Sequence, residues 1–326
     1  MKKKDVIKLV LSVALAAVLV WFAFRSVDWR AFLDGLKLTR WGYLVPFFAA
    51  SILALYFRML RWKTLLKSSG CDARKITIWD ANNVGNLANV VIPGSGEFIR
   101  CGYASSKNNY GKVLGTIVVE RIWDFIAILA IVVLAILLDN SKFGPFFREQ
   151  VWGPASGRLN FSLWWVLIAL IVLAAIFVWA SFRFKDRSKL FAKVAGALSS
   201  IGNGLDSFRK LDRKLIFLLY TGIIWLMYLL MCLSIQKAVP EMSHLGLEDA
   251  LFFTAVGNLA TVIPVPGGIG AYHYLLAFSV STIYGGSWET GILFATLQHE
   301  LHAILILILG IISYVHLSLQ SRRKDE

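Results

Sequence analysis

Cysteine is scarce in this sequence, and acidic residues are outnumbered. The three cysteines, Cys71, Cys101 and Cys232, are odd in number, widely spaced and never in a CxxC pair. Neither a disulfide framework nor a thiolate metal site is implied, and they read as small apolar residues. No nucleotide-binding P-loop, dinucleotide fingerprint or nucleophile elbow occurs. The loops are too short to hold a soluble catalytic domain, so coupling to ATP within the chain is not expected. Charged residues make up only 17% of the 326 positions and hydrophobic ones 57%, too apolar a balance for an ordinary soluble domain.

The apolar residues come in blocks. Segments 10–24, 43–57, 125–138, 163–182 and 215–235 are nearly free of charge, and 292–317 is broken only by a short polar cluster. Several fall short of the roughly 20 residues that cross a bilayer; they reach that length with flanking Trp, Tyr and snorkelling Lys or Arg. The first block follows Met1-Lys2-Lys3-Lys4 as a secretory signal would, but no small-residue cleavage site follows Phe24; Arg25, Asp28 and Trp29 come next. It reads as a retained span.

A net charge of +14 could suggest nucleic acid, but the basic residues lie between apolar blocks rather than on one soluble face, and no nucleic-acid partner is expected. With the N-terminus inside, segments 1–8, 58–75, 183–214 and 318–326 hold 22 Lys and Arg, against eight in the outer segments 25–42, 139–162 and 237–247. That bias puts both termini in the cytoplasm. It also gives the inner leaflet a basic surface suited to anionic lipid head groups.

Two stretches break the alternation of span and loop. Val84-Gly-Asn-Leu-Ala-Asn-Val-Val91 and Val256-Gly-Asn-Leu-Ala-Thr-Val-Ile263 match at six of eight positions, and each runs into a break, Pro93-Gly94 and Pro266-Gly267. A shared Gly-Asn-Leu-Ala core followed by Pro-Gly reads as an internal repeat. Three spans separate the motifs, so the second arrives at the opposite face of the membrane. The expected fold is an all-α polytopic membrane protein, one transmembrane domain over 1–326, built as an inverted repeat. The first half, 1–140, carries hairpin 76–112; the second, 163–317, carries hairpin 248–284. About six transmembrane helices and two re-entrant helix-break-helix hairpins satisfy the charge bias and the polar return limb 96–112. Eight full crossings remain the alternative.

Several residues could carry chemistry. Asn86 and Asn89 share a helical face and can hydrogen-bond phosphate or hydroxyl groups; asparagine also glues membrane helices together. Pro93, Gly94 and the run Pro266, Gly267, Gly268 and Gly270 free backbone N–H groups, as anion-binding turns do. Asn258 repeats Asn86. Glu97 and Arg100 follow the first break. Glu120, Arg121 and Asp124 lie about 10–16 Å along the helix from Val113, where charges need partners or water; they fit either a structural ion cluster or phosphate contact with proton coupling. His273 could carry a proton or simply start a helix. His299-Glu300-Leu301-His302 lacks the spacing of HExxH and shows no third ligand, so no metal site is expected. Arg58 and Arg61 read as interfacial anchors within reach of lipid head groups.

Taken in order, Arg58-Met59-Leu60-Arg61-Trp62, Pro93-Gly94-Ser95-Gly96-Glu97-Phe98-Ile99-Arg100, Glu120-Arg121-Ile122-Trp123-Asp124 and Pro264-Val265-Pro266-Gly267-Gly268-Ile269-Gly270 resemble the lysylphosphatidylglycerol synthase transmembrane-region family. That family includes the flippase half of the bacterial multiple-peptide-resistance proteins. The resemblance covers essentially the whole chain. It implies movement of a phospholipid or polyprenyl-phosphate-linked lipid between leaflets of a bacterial cytoplasmic membrane. The family's aminoacyl-transferase domain is not found in these residues, so synthase activity is not carried over. His273 stands where relatives often carry a glutamate. The partners expected are an anionic membrane lipid and the bilayer, with no cofactor; a homo-oligomer stays open. A membrane-embedded transferase and a non-transporting scaffold are the rival readings.

Overall fold

The computed structural model describes residues 17–71, 73–105, 109–146, 206–260 and 265–325, with a few isolated positions besides. The Lys-rich N-terminus, most of the expected span 163–182, repeat positions Thr261 and Val262, and Pro264 lie outside the described residues. Among the described residues every regular element is helical.

The first block is helical over 17–24 (α1). A short surface helix, α2 (Trp29–Leu38), follows, started by Asp28, whose carboxylate accepts from the Arg30 and Ala31 N–H groups. It occupies what the sequence suggests is a plain outer loop. The next elements are α3 (Leu44–Ser68), α4 (Lys75–Val91), α5 (Ser95–Ala104), α6 (Tyr110–Leu138) and the short α7 (Asn140–Phe146). Beyond residue 206 come α8 (Lys214–Ala238), α9 (Leu247–Leu259), α10 (Ala271–Tyr284) and α11 (Trp288–Asp325). Among the described residues four segments are long and apolar enough to cross a membrane: Trp41–Ser68, Tyr110–Leu138, Lys214–Ala238 and Trp288–Gln320. They leave large apolar side chains exposed, including Leu129, Val133 and Leu137 on α6 and Ile304, Ile308 and Ile311 on α11, as lipid-facing helices must.

Each break joins two limbs folded back on one another. In the first pair, Asn82 meets Arg100 and Asn89 meets Glu97, so α4 and α5 run antiparallel. In the second, Asp249 meets Tyr284 and Gly257 abuts Tyr272, so α9 and α10 do the same. α3 and α8, the first long helix of each half, also run antiparallel: Arg58 reaches Tyr228, and Arg61, one turn on, reaches Thr221. Opposite running of equivalent helices is what an inverted repeat requires.

The limbs are exchanged between halves. α4 packs on α11, where Asp80, Asn83 and Leu87 meet His316, Ser313 and Gly310 in turn. α9 correspondingly packs on α6. One apolar cluster joins α3, α6 and α7 to the helices of the second half around Phe47, Phe143, Phe252, Phe253 and Phe294; a smaller one joins α3, α4, α5 and α6 around Trp62, Ile78 and Cys101. The Trp62 indole N–H there donates to the Thr116 hydroxyl at 3.0 Å, which satisfies its one polar atom. All three cysteines are free and buried.

Candidate functional site

The first break forms where Pro93 interrupts the N–H ladder and Gly94 takes a left-handed φ of 77°, a conformation only glycine adopts freely. Asn89 then closes the hairpin. Its side-chain oxygen accepts from the Gly96 N–H at 2.7 Å, and its amide donates to Glu97 at 3.1 Å. Both ends of this side chain are spent on the turn, so Asn89 is a structural clasp rather than a free ligand group. Gly85 and Gly96 let the limbs touch, since a Cβ on Gly96 would lie 2.0 Å from the Gly85 carbonyl oxygen.

The charges of α6 knit three helices together. Arg61 of α3 lies 2.8 Å from Asp124 and 3.6 Å from Glu120. Arg100 of α5 lies 2.9 Å from Glu120, donates to Asn82 at 3.2 Å and sits 4.8 Å over the Trp62 ring. Arg121 lies 2.8 Å from Glu97 and 3.5 Å from Asp124. The structure differs here from the sequence expectation at Arg61, which is no snorkelling anchor: it is 1% exposed and locked in this cluster. Glu120 faces Arg61 and Arg100, while Arg121 pairs with Glu97 and Asp124, so the cluster ties the span to the hairpin.

The second break is longer. Gly267 and Gly268 have φ of 60° and 78° in a 3-10 turn, and Gly270, φ 83°, starts α10. By position Gly270, rather than Gly267, plays the part of Gly94. It also lies against α1, where a Cβ would sit 2.6 Å from the Val20 nitrogen. Glu97 falls three residues after Gly94 and His273 three after Gly270, and each faces a charged group on the following span. Glu97 faces Arg121; His273 Nε2 lies 3.6 Å from Glu300. At the matching place the second half thus sets a histidine, rather than a carboxylate, against a charged side chain of the span.

A cavity of about 390 Å³ lies between the two breaks. Of the candidate residues from the sequence, Arg58, Arg121, Asp124, Asn258, Gly267 and Gly268 line it. Glu97, Arg100 and Glu120 stand behind Arg121 in the ion cluster. Half-buried Asn86, Pro93 and Pro266, exposed Gly94, and buried Gly270 and His273 are not part of the lining. Tyr228, Trp225 and Gln298 also line it; sequence reasoning missed Tyr228 and Trp225 because they sit inside an apolar block with no motif around them, and passed over Gln298 beside the His299-Glu300-Leu301-His302 run. Among the described residues Arg58 makes no ion pair, and its Nη1 reaches only the Tyr228 hydroxyl, at 3.5 Å.

No curated protein and no solved structure matches this chain. The family model for the lysylphosphatidylglycerol synthase TM region, however, matches residues 9–310. With the paired helix breaks, the buried ion cluster and most of the apolar spans inside the matched region, this multi-pass membrane protein belongs to the lysylphosphatidylglycerol synthase TM region family.

Proposed function

We propose that the protein is a lipid translocase that moves an anionic phospholipid or polyprenyl-phosphate-linked lipid between the leaflets of a bacterial cytoplasmic membrane. In this reading the hairpins are re-entrant, both termini are cytoplasmic, and the cavity between the breaks receives the head group. The observation that carries it is Arg58. Every other arginine of the cluster has a carboxylate within 4.0 Å, whereas Arg58 lines the cavity without one among the described residues. A fork-shaped cation with donors to spare is suited to a phosphate. The sequence made it an interfacial anchor; its place in the cavity makes it the better candidate for head-group contact than Arg121.

The rest of the wall supports the same reading. Trp225 Nε1, Gln298 Oε1 and His302 Nδ1 are buried side-chain atoms of lining residues with no hydrogen-bond partner among the described residues. Leaving such groups unsatisfied costs about 1–3 kcal/mol each, so an occupant that offers donors and acceptors fits the space. Ile128, Met231 and Ile306 supply an apolar side for the glycerol or isoprenoid portion.

The test is transport in proteoliposomes, with labelled phosphatidylglycerol and a leaflet-accessibility readout. Wild-type protein equilibrates the label; Arg58→Gln loses at least about tenfold in rate, one charged hydrogen bond being worth roughly 1.5–3 kcal/mol, with thermal stability unchanged. Full transport by Arg58→Gln removes the carrying observation. A chemically altered lipid recovered from wild-type liposomes rejects translocation in favour of a transferase.

A further inference from the structure

We propose that His273, His299 and Glu300 form a binding site for one divalent transition-metal ion of the Zn²⁺ class. The sequence spacing of His299 and Glu300 offers no third ligand; the fold supplies one from α10. Among the described residues the ligand atoms of these three side chains lie within 4.8 Å of one another.

The tautomer of His299 is the first reason. Its Nε2 lies 2.7 Å from the Gly267 carbonyl oxygen, which can only accept, so Nε2 carries the hydrogen. In the neutral ring Nδ1 is then a bare lone pair, and it lies 2.9 Å from Glu300 Oε1. Two acceptors that close need either a proton or a metal ion between them. A ring nitrogen tethered to a backbone carbonyl, with the other left free, is also how metal-binding histidines are oriented.

A shared proton would account for His299 and Glu300 alone. It leaves out His273, whose Nε2 turns to the same Glu300 oxygen at 3.6 Å, beyond hydrogen-bond reach. A tetrahedral ion with bonds of about 2.1 Å holds neighbouring ligand atoms about 3.4 Å apart. The observed 2.9 and 3.6 Å separations bracket that value, and two imidazoles with one carboxylate are a suitable donor set. The side chain of His273 is 2% exposed, between the rings of Phe24 and His299, while Glu300 is 41% exposed and lines the cavity. The remaining coordination position therefore opens to the cavity.

The first half shows what such an ion would do. There the Arg121 guanidinium ties Glu97 on the return limb to Asp124 on the span. At the matching place the second half has His273 and Glu300 and no arginine, so the positive charge joining hairpin to span falls to the bound metal. The site does not depend on what the cavity holds, and its test uses neither lipid nor transport.

Purified, tag-free protein in detergent is stripped with a chelator and titrated with Co²⁺, followed by ligand-field absorption and metal analysis. One Co²⁺ per chain, displaced by Zn²⁺, is expected. His273→Gln and Glu300→Gln should each weaken binding at least about tenfold, the scale on which even outer partners of metal sites act. His316→Gln, on a histidine engaged with Asp80, should leave it unchanged. His273→Cys should keep the stoichiometry and add a thiolate-to-cobalt band, which separates loss of a ligand from loss of the fold. No stoichiometric Co²⁺ in the wild type overturns the proposal, as does unchanged affinity in both the His273→Gln and Glu300→Gln variants.

Discussion

Glu120→Gln removes one negative charge and almost no volume from the centre of the ion cluster. Its carboxylate is 2% exposed and faces two guanidiniums, Arg100 at 2.9 Å and Arg61 at 3.6 Å. At an effective dielectric of about 20, each contact is worth roughly 5 kcal/mol of attraction, much of it offset by the cost of burying the charges. What decides the outcome is the asymmetry of the loss. Arg61 keeps Asp124 at 2.8 Å, but Arg100 keeps only the Asn82 amide oxygen and the Trp62 face. A buried cation stripped of its partner costs about 3–5 kcal/mol. For a chain of this size that corresponds to a fall of roughly 10 °C in apparent Tm, measured by fluorescence-detected unfolding in detergent. Adding Arg100→Gln to Glu120→Gln removes the stranded charge and should recover at least half of the loss. A fall of under about 2 °C for the single variant, or a double variant no better than the single, would refute the assignment of Glu120 as the carboxylate that Arg100 depends on.

Two further outcomes are expected. Gly94→Val and Gly270→Val force a side chain onto left-handed backbone at each break, a penalty of about 1–2 kcal/mol to which Gly270 adds a clash with α1. Gly267→Val, also at positive φ, belongs with them. All three should cut transport at equal membrane abundance, while Gly222→Val, with open space around it, should not. For topology, single cysteines at Ser105 and Gly286, in a background without Cys71, Cys101 and Cys232, should label from the cytoplasmic and the external side respectively. Labelling of both from one side rules out the inverted arrangement.

The helix breaks were legible because proline and glycine act locally: Pro93-Gly94 and the glycine run 267–270 interrupt helices wherever they stand. The repeat was legible through Gly85 and Gly257, which the sequence aligns and the structure places where the limbs of each hairpin press together. Partner choice was not legible. Glu120, Arg121 and Asp124 are close in sequence, yet Glu120 meets Arg61 of α3 and Arg100 of α5, Arg121 meets Glu97 of α5, and Asp124 meets Arg61. Such selection depends on which helices surround a span, and no spacing along α6 records it. The same blindness hid His273 from His299 and Glu300, since 26 residues and a full helix–loop connection separate them. Asn89 was open to two readings in the sequence, ligand contact and helix glue; in the structure the Gly96 N–H freed by the break and Glu97 engage both ends of its side chain.

The exchange of limbs, α4 lying on α11 and α9 on α6, has a mechanical consequence. Each half grips the other by its inner arm, so the molecule is a pair of crossed levers rather than two hinged shells. A tilt of α6 drags α9 and with it the far break; a tilt of α11 drags α4 and the near one. In the translocase proposed above, a displacement at one break would therefore be geared to a displacement at the other, and inward and outward openings would be two ends of a single stroke.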